Sequence, residues 1–483
     1  MSLNFNGIQD FITRWVKKKP SVRSQETSDS GKGTGVRIYH YRRESPDEKS
    51  RIHLRLDPDG HGTLIVNANR ILHLNPTAAL MAYFLLEQTS EREAVRLIRQ
   101  KYHVSAAQAR LDLGSIRSQL DELVRPDGAC PIHELGLETI MPFSARPTAP
   151  YRLDLALTYR CNNDCAHCYN VEHPSLISNP SPTGRGAGVR EGVEGELSTD
   201  DWKRVLDKAW ELGVPHIIFT GGEPTLREDL PELIAHAEHN GQVTGLNTNA
   251  RRLSDACYVD KLVAAGLDHV QITLESCEAG IHDQMVRSKG AFAQTVRGLE
   301  NALASRLYVM TNTTMLRTNV HTIPDTLDFL AGMGVPTIGL NALIHAGRGS
   351  AVGTGLAESE LAPLLEAARR KTEKCGQRLI WYSPTQYCAF DPMALELGVK
   401  GCTAALYNMC VEPDGNVLPC QSYYQPLGNL LADEWDSIWN HPLAVRLRER
   451  QGLPQKCAGC VFLAECGGGC PLQFESVNTL VEV

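Results

Sequence analysis

YRLDLALTYRCNNDCAHCYN, residues 151–170, is the stretch of sequence that decides the fold of this chain. Residues 152–157 are predicted to form a strand, and the loop after it carries Cys161, Cys165 and Cys168 in a C-x3-C-x2-C pattern. The three cysteines therefore lie at the carboxyl end of a strand. Barrels of parallel strands carry their active sites at this end.

Three thiols on one short loop predict a metal centre. Iron–sulfur clusters usually take four cysteines, so three thiolates can hold three corners of a [4Fe–4S] cluster and leave one iron open to another ligand. Zinc is the competing interpretation, because catalytic zinc also takes three protein ligands and keeps one position open. The spacing, on a loop that opens a series of strands and helices, favours iron–sulfur.

Strands and helices alternate after this loop. Strands are predicted at 152–157, 215–220, 242–247, 268–274, 307–314 and 337–343, and helices near 200–212, 229–239, 254–265, 292–304, 322–333 and 357–374. Repeated βα units imply a parallel sheet with right-handed crossovers. Six units suit an open, partial (β/α)6 barrel better than a closed barrel of eight strands. Residues 171–197 interrupt the first unit, either as a substrate lid or as a tolerated surface loop.

A second motif, TGGEP at 220–224, ends the second predicted strand. Its two glycines allow close approach of backbone to a ligand. With the cysteine loop, it resembles the radical S-adenosylmethionine (SAM) superfamily, over roughly residues 151–345. The resemblance implies that the segment with Gly221, Gly222 and Glu223 receives the methionine amino group of SAM. It also implies one-electron reduction of SAM to a 5′-deoxyadenosyl radical, which abstracts hydrogen from a substrate.

Further positions resemble the superfamily in chain order. Asn247 stands in a polar motif that ends the third predicted strand. Thr273 and Glu275 stand where the family usually has serine and aspartate, which keeps a hydroxyl and a carboxylate but leaves the ribose contacts open. Arg287 closes an H-D…R segment. The resemblance implies that Arg287 reaches the SAM carboxylate or ribose, and a surface ion pair is the alternative.

Most of the other cysteines lie near the carboxyl end. The patterns C-x12-G-x4-C at 402–420 and C-x2-C-x5-C-x3-C at 457–470 resemble the SPASM domain of radical SAM enzymes. That resemblance implies one or two auxiliary iron–sulfur clusters, and zinc ribbons are the alternative. By position, the first would use Cys402, Cys420 and Cys470 with Cys410 or Cys388, and the second Cys457, Cys460 and Cys466.

The second auxiliary cluster is left one ligand short by this pattern. The family has a further downstream cysteine, and none follows Cys470 in this sequence. An upstream cysteine, a non-cysteine ligand, an open iron and an incomplete cluster all remain open. Cys130, Cys257, Cys277 and Cys375 lie outside the patterns and are expected to be small buried hydrophobic residues.

Three predicted strands at 51–56, 63–68 and 70–75 precede three predicted helices at 77–88, 90–102 and 105–125, a winged-helix-like pattern. This region resembles the PqqD-like peptide-recognition domain. The resemblance implies that a leader peptide adds a strand at the edge formed by 70–74, against the third helix. A structural cap or a dimerisation element is the alternative.

The chain is therefore predicted to be an α/β protein with five segments. They are an amino-terminal helix and linker (1–35), a PqqD-like winged-helix α+β domain (36–126), a connector (127–150), the radical SAM partial barrel (151–379) and a cysteine-rich SPASM domain (380–483).

Composition and charge place the chain among soluble globular proteins. Of its 483 residues 42% are hydrophobic and 22% charged, and fifteen are cysteines. There is no apolar run long enough for a transmembrane helix and no signal-peptide pattern, so a cytoplasmic location is expected. Clustered cysteines in that reducing compartment are metal ligands or catalysts more often than disulfides. The net charge of −8, without a basic stripe, argues against nucleic acid as a partner.

Together these features predict a radical SAM enzyme that oxidatively modifies a ribosomally made peptide, by a crosslink or a side-chain oxidation. A leader-bearing peptide and an electron donor such as a flavodoxin or ferredoxin are the expected partners. Action on a small molecule such as a tetrapyrrole is one alternative, and a non-catalytic metal-binding scaffold is another.

Overall fold

The computed structural model describes residues 37–44, 49–57, 59–66, 70–124, 147–170 and 195–473. It divides into two compact units, Met1–Thr148 and Ala149–Val483. The predicted amino-terminal helix and linker, Cys130, most of the connector and most of the 171–197 insertion lie outside the described residues. No helix in the described ranges is long and apolar enough to cross a bilayer.

The first unit is a four-stranded antiparallel sheet followed by three helices, with the strands in chain order across the sheet. The strands are β1 (Arg37–Glu44), β2 (Lys49–Leu56), β3 (Gly62–Val66) and β4 (Arg70–Leu74), and the helices are α1 (Pro76–Leu86), α2 (Glu91–Tyr102) and α3 (Ala106–Val124). The three predicted strands and three predicted helices are confirmed. Strand β1 was not predicted, because half of its eight residues are Arg or Glu. Charged residues are common on such edge strands, where they discourage pairing with other chains.

Serine side chains cap helices α2 and α3 at the predicted starts of these two helices. The Ser90 hydroxyl accepts the N–H of Glu93, and the Ser105 hydroxyl accepts the N–H of Gln108 at 3.1 Å. Each cap satisfies a backbone donor that the first helical turn leaves unpaired.

The second unit is built on one ten-stranded sheet. Its order is β11-β10-β9-β8-β7-β6-β5-β12-β13-β14, and neighbours from β11 to β12 pair in parallel. The strands are β5 (Arg152–Ala156), β6 (His216–Thr220), β7 (Val243–Thr248), β8 (His269–Thr273), β9 (Tyr308–Thr314), β10 (Thr337–Asn341), β11 (Arg378–Trp381), β12 (Asn408–Val411), β13 (Asn416–Leu418) and β14 (Gly428–Asn429).

Among the described residues of the second unit there are ten helices: α4 (Thr199–Glu211), α5 (Leu230–Asn240), α6 (Ala256–Ala265), α7 (Ala279–Val286), α8 (Ala291–Leu303), α9 (Ile323–Gly332), α10 (Glu358–Lys374), α11 (Trp435–Trp439), α12 (Pro442–Arg448) and α13 (Leu463–Cys466). The six predicted strands and six predicted helices of the α/β repeat are confirmed. Strand β11 and helix α7 were not predicted, because four and eight residues give only a short pattern of buried positions.

The cysteine-rich carboxyl region joins this sheet directly. Strand β12 pairs in parallel with β5, and Cys410 stands opposite Asp154. Strands β12 and β13 pair antiparallel as a hairpin around Gly415, whose φ of +89° suits glycine. The loop that carries Cys161, Cys165 and Cys168 and the hairpin that leads to Cys420 thus start from neighbouring strands.

Candidate functional site

The cysteine loop lies against the glycine-rich turn after β6. The N–H of Gly222 donates to the Thr158 carbonyl at 2.8 Å, and the N–H of Glu223 donates to the Arg160 carbonyl at 2.8 Å. A Cβ on Gly221, where φ is +131°, would lie 2.3 Å from Thr158 O, and one on Gly222 would lie 2.4 Å from Arg160 O. Only glycine allows this approach, so the two motifs form one backbone cradle.

Glu223 is completely buried and ties the end of β6 to the end of β7. Its Oε1 accepts the Thr225 and Thr248 hydroxyls at 2.6 and 2.7 Å, and its Oε2 accepts the Asn249 N–H at 2.8 Å. Burial raises the pKa of this carboxyl, while these hydrogen bonds oppose the shift. The carboxylate expected to face the SAM ammonium therefore also organises the turns that surround the cradle.

The polar motif that ends β7 fixes the first part of the cysteine loop. Asn249 Nδ2 donates to Asn162 Oδ1 at 2.6 Å, and Arg251 Nη1 donates to Asn163 Oδ1 at 2.8 Å and to the Asn162 carbonyl. Arg251 Nη1 also donates to Ser288 Oγ at 3.0 Å. The expected contact residue, Asn247, lies half-buried in β7 opposite Gln271 of β8.

A buried contact between a histidine and a carboxylate fixes the second part of the loop. His167 Nε2 lies 2.9 Å from Glu275 Oε1, and the N–H of Thr314 donates to Glu275 Oε2 at 2.9 Å. Glu275 is only 1% exposed. The residue expected at the ribose thus links β8 and β9 to the histidine between Cys165 and Cys168. Thr273 is half-buried at the last position of β8, opposite Asn312.

Two arginines approach Asp164 in the same loop. Arg348 Nη1 lies 2.5 Å from Asp164 Oδ1, and Arg287 Nη1 lies 3.9 Å from Asp164 Oδ2. Arg287 also lines a cavity of about 280 Å³ together with Ala166 and His167. Nε and Nη2 of Arg348 and Nδ1 of His167 are buried without a hydrogen-bond partner in the described structure. Unsatisfied polar atoms at this depth are costly, and an anionic or polar ligand would satisfy them.

The donor set and the cradle fit the predicted cofactors. Cys161, Cys165 and Cys168 are all partly exposed, and the cradle brings backbone close to their loop. Within the described ranges no three His, Cys, Asp or Glu side chains converge on a single metal ion. The thiolates of an iron–sulfur cluster bind different irons, so their sulfur atoms do not need to converge on one point.

Cys402, Cys420 and Cys470 lie near one another beyond the β12–β13 hairpin. Burial, and after it the nearby Cys402 thiol, raise the pKa of Cys420 to about 12. The same causes, with Cys420 added, raise the pKa of Cys470. Cys410 is 1% exposed and packs among apolar groups with Tyr159 and Leu418.

Cys457, Cys460 and Cys466 form a separate group that also includes Cys388. Burial, then Cys466, Cys388 and Cys460, raise the pKa of Cys457, and Lys456 opposes them. Burial lowers the pKa of Arg450, and the thiols of Cys466 and Cys402 oppose that effect. Since Cys402 and Cys466 belong to different groups, Arg450 lies within electrostatic reach of both.

A hydrogen-bonded chain connects the first cysteine loop to the hairpin region. Asn170 Nδ2 donates to the Gly221 carbonyl at 3.1 Å, and the Tyr424 hydroxyl donates to Asn170 Oδ1 at 2.9 Å. Asn170 and Tyr424 therefore link the cradle to the segment that follows Cys420.

Reasoning from the sequence did not identify four site residues: His167, Asn170, Arg251 and Arg348. His167 and Asn170 flank motif cysteines, and Arg251 follows the polar end of a strand, so proximity to a motif was the available signal. Of the cysteines expected to be buried, Cys257 and Cys375 are exposed, because both lie at helix ends, and that expectation was wrong. Cys277 is only partly buried.

Comparison with known proteins gives two family matches. Residues 155–330 match the radical SAM superfamily, and residues 402–461 match SPASM, an iron–sulfur cluster-binding domain. A PqqA peptide cyclase of Rhodopseudomonas palustris is 31% identical over 335 residues, which cover 67% of this chain and 82% of that relative. An Fe-coproporphyrin III synthase of Methanosarcina barkeri is 30% identical over 352 residues, which cover 66% of this chain and 83% of that relative.

Solved structures share the fold. Streptococcus suis SuiB bound to its precursor peptide SuiA aligns with a TM-score of 0.63 at 16% identity, over 90% of this chain and 96% of that one. SuiB bound to S-adenosylmethionine aligns with a TM-score of 0.62 at 17% identity, over 89% of this chain and 96% of that one.

Proposed function

Because the chain belongs to the radical SAM superfamily and carries an iron–sulfur SPASM domain, we propose that it oxidatively modifies a ribosomally made peptide. The chain is an enzyme whose cofactors are SAM, a [4Fe–4S] cluster and auxiliary iron–sulfur clusters. Family membership therefore removes the non-catalytic scaffold from the alternatives. The proposal concerns the substrate and the residues that bind each group.

Cys161, Cys165 and Cys168 would hold the SAM-binding cluster, and the Gly221–Gly222 cradle would receive SAM. When bound, these groups supply one-electron reductive cleavage of SAM and hydrogen abstraction from the substrate. The protein orients them and excludes water. Asn249 and Arg251 hold the front of the loop, His167 and Glu275 hold its end, and the donors of Arg348 and Arg287 offer positive charge to an anionic group.

The sheet edge in the first unit is the observation that supports a peptide substrate. Strand β4 lies at the end of its sheet, paired on one side with β3. Leu72 and Leu74 of β4 belong to the same buried cluster as Leu120 of α3. An extended leader peptide would add backbone hydrogen bonds to β4 and place side chains against α3. The similarity to a PqqA peptide cyclase supports this assignment.

Reductive cleavage of SAM requires a one-electron donor, and in the proposed cytoplasmic location a flavodoxin or ferredoxin would serve. The donor would supply the electron for SAM cleavage at the site that Cys161, Cys165 and Cys168 would form. The substrate radical would then lose one electron to the auxiliary site that the carboxyl-terminal cysteines would form, and one proton to solvent. Two-electron oxidation of the peptide then removes two hydrogens when a crosslink forms.

The decisive experiment is anaerobic incubation of the full chain with SAM, a reductant and candidate precursor peptides, followed by mass spectrometry. A peptide that loses two hydrogens supports the proposal. Amide hydrogen exchange with the same peptide tests its binding site: exchange should slow in β4, while β1, the opposite edge, serves as the internal control. Equal protection of both edges, or of neither, contradicts leader binding at β4.

A small-molecule substrate is the second candidate. The similarity to an Fe-coproporphyrin III synthase favours a tetrapyrrole. Incubation with coproporphyrin species in place of peptide separates the two functions. Turnover of a tetrapyrrole, with every peptide left unchanged, would replace the peptide proposal.

A further inference from the structure

The segment Thr385–Cys388 lies directly against the turn that carries Cys466. The N–H of Tyr387 donates to Cys466 Sγ at 3.5 Å, and the Cys466 thiol donates to the Thr385 carbonyl at 3.5 Å. The Tyr387 ring also lies 6.2 Å from that of Phe462, measured between centroids. These contacts therefore hold the segment Thr385–Cys388 beside Cys466.

Gln386 holds the same segment from three further directions. Lys456 Nζ donates to Gln386 Oε1 at 2.7 Å, and Glu358 accepts the backbone N–H of Gln386. A Cβ on Gly469 would lie 2.8 Å from Gln386 Cγ, so the glycine run after Cys466 packs closely on the segment. Cys388, two residues later, is held next to the turn of Cys457, Cys460 and Cys466.

The environment of Cys388 suits a ligand. Its thiol is exposed and makes a weak contact, 3.9 Å, with Gln386 Oε1. The same Gln386 Oε1 accepts Lys456 Nζ at 2.7 Å, so one side chain contacts both the Cys388 thiol and the residue that precedes Cys457. Lys456, at the start of the motif, offsets part of the negative charge that four thiolates would bring.

We propose that Cys388 is the fourth thiolate of the auxiliary cluster held by Cys457, Cys460 and Cys466. Iron–sulfur clusters of this type take four cysteines, and the four residues named supply that number. A thiol loses its proton when it binds iron, so the exposed Cys388 would no longer react with alkylating agents.

Full ligation has a functional consequence. Four thiolates leave no iron open to a substrate atom, so this cluster would transfer electrons and would not bind substrate. The inference rests on the proposed auxiliary site at Cys457, Cys460 and Cys466, and it does not depend on the identity of the substrate.

Thiol protection in the unmodified protein provides the first test. The anaerobically purified holoprotein is treated with iodoacetamide, and alkylation is mapped by mass spectrometry before and after removal of iron with a chelator. Cys388 should be protected until the iron is removed, whereas the exposed Cys375 should react in both states. Alkylation of Cys388 in the holoprotein at the rate of Cys375 would overturn the proposal.

Variants provide the second test. Cys388→Ala should lower iron by about one to four atoms per chain, either as a [3Fe–4S] cluster, visible by electron paramagnetic resonance without reductant, or as loss of the whole cluster. Cys375→Ala is the matched control and should keep its iron. Iron content and spectra equal to those of Cys375→Ala would refute the role of Cys388.

A double variant, Cys457→Ala with Cys460→Ala, separates this inference from the site on which it rests. It should lose one cluster and expose Cys388 to alkylation. Unchanged iron would mean that the auxiliary site itself is wrong. Loss of the cluster with Cys388 still protected would mean that Cys388 serves the other auxiliary cluster, and the proposal would fall while the site remained.

Discussion

Gly222 is a residue at which the cradle leaves no room for a side chain. Gly222→Ala would place a Cβ 2.4 Å from Arg160 O and 2.6 Å from Tyr159 O, both backbone atoms that no rotamer can move. We expect the cysteine loop to shift, with loss of about four irons per chain and of SAM cleavage, while the auxiliary clusters remain. Iron analysis and a SAM-cleavage assay measure this. Gly280→Ala, where a Cβ meets nothing within 4 Å, is the control, and equal behaviour of the two variants would refute the cradle.

The side-chain length of Glu275 lets its carboxylate reach two partners. In Glu275→Asp the carboxylate is one methylene shorter, so it can no longer reach both His167 Nε2 and the N–H of Thr314. We expect a loss of about 1–3 kcal/mol in stability, because one buried partner is left unsatisfied, and weaker binding of SAM. Thermal unfolding and SAM titration measure these effects, with the neighbouring Glu278→Asp as control. A Glu275→Asp variant that matches Glu278→Asp in both stability and SAM binding would show that the contact of Glu275 with His167 does not position the loop.

The cysteine patterns were readable from the sequence because each motif is local and its spacing alone carries the chemistry. The partners of those motifs were not readable. Arg251 and Arg348 reach the cysteine loop from turns that follow two other strands, at sequence separations of 88 and 184 residues. Only the register of the sheet brings such turns together. The pairing of Glu275 with His167 is hidden for the same reason.

At the scale of elements, the first residues of β6 and β8 form a half-buried histidine pair. His216 Nε2 lies 3.0 Å from His269 Nε2. Burial lowers the pKa of His269 from its ordinary 6.5 to about 4, although Asp268 opposes the shift. The folded state therefore binds fewer protons than the unfolded state between these values, so stability is lost as the pH falls from 6.5 towards 4.

His269→Gln should remove part of that acid sensitivity, because glutamine does not titrate. The difference in thermal midpoint, variant minus unmodified protein, is expected to rise in favour of the variant as the pH falls from 7.5 to 5. His239→Gln, on α5, is the control variant. A difference that stays constant across this range would show that His269 does not titrate with a lowered pKa.

The repeated βα pattern could be predicted because buried strands and amphipathic helices each leave a period in the sequence. Strand β1 left no such signal, since its charged residues suit an edge. The four-residue β11 left no clear alternation either, because only its last residue, Trp381, is buried. The pairing of β12 with β5 could not be predicted either, because it joins segments more than 250 residues apart.

At the scale of the molecule, hydrogen bonds through Tyr424 link the barrel to the cysteine-rich region of the second unit. Its hydroxyl donates to Asn170, which in turn donates to the Gly221 carbonyl of the cradle.

Tyr424→Phe removes one hydrogen bond, worth about 1 kcal/mol, and leaves every cysteine in place. All clusters should therefore assemble, but the cradle should lose its fixed position relative to the segment after Cys420. We expect SAM cleavage to continue while less product forms per SAM cleaved, a ratio that mass spectrometry of both products measures. Tyr382→Phe, which removes a hydroxyl that donates to the Met310 sulfur at 3.4 Å, is the control. An unchanged ratio in Tyr424→Phe would mean that the pairing of β12 with β5 alone aligns the two regions.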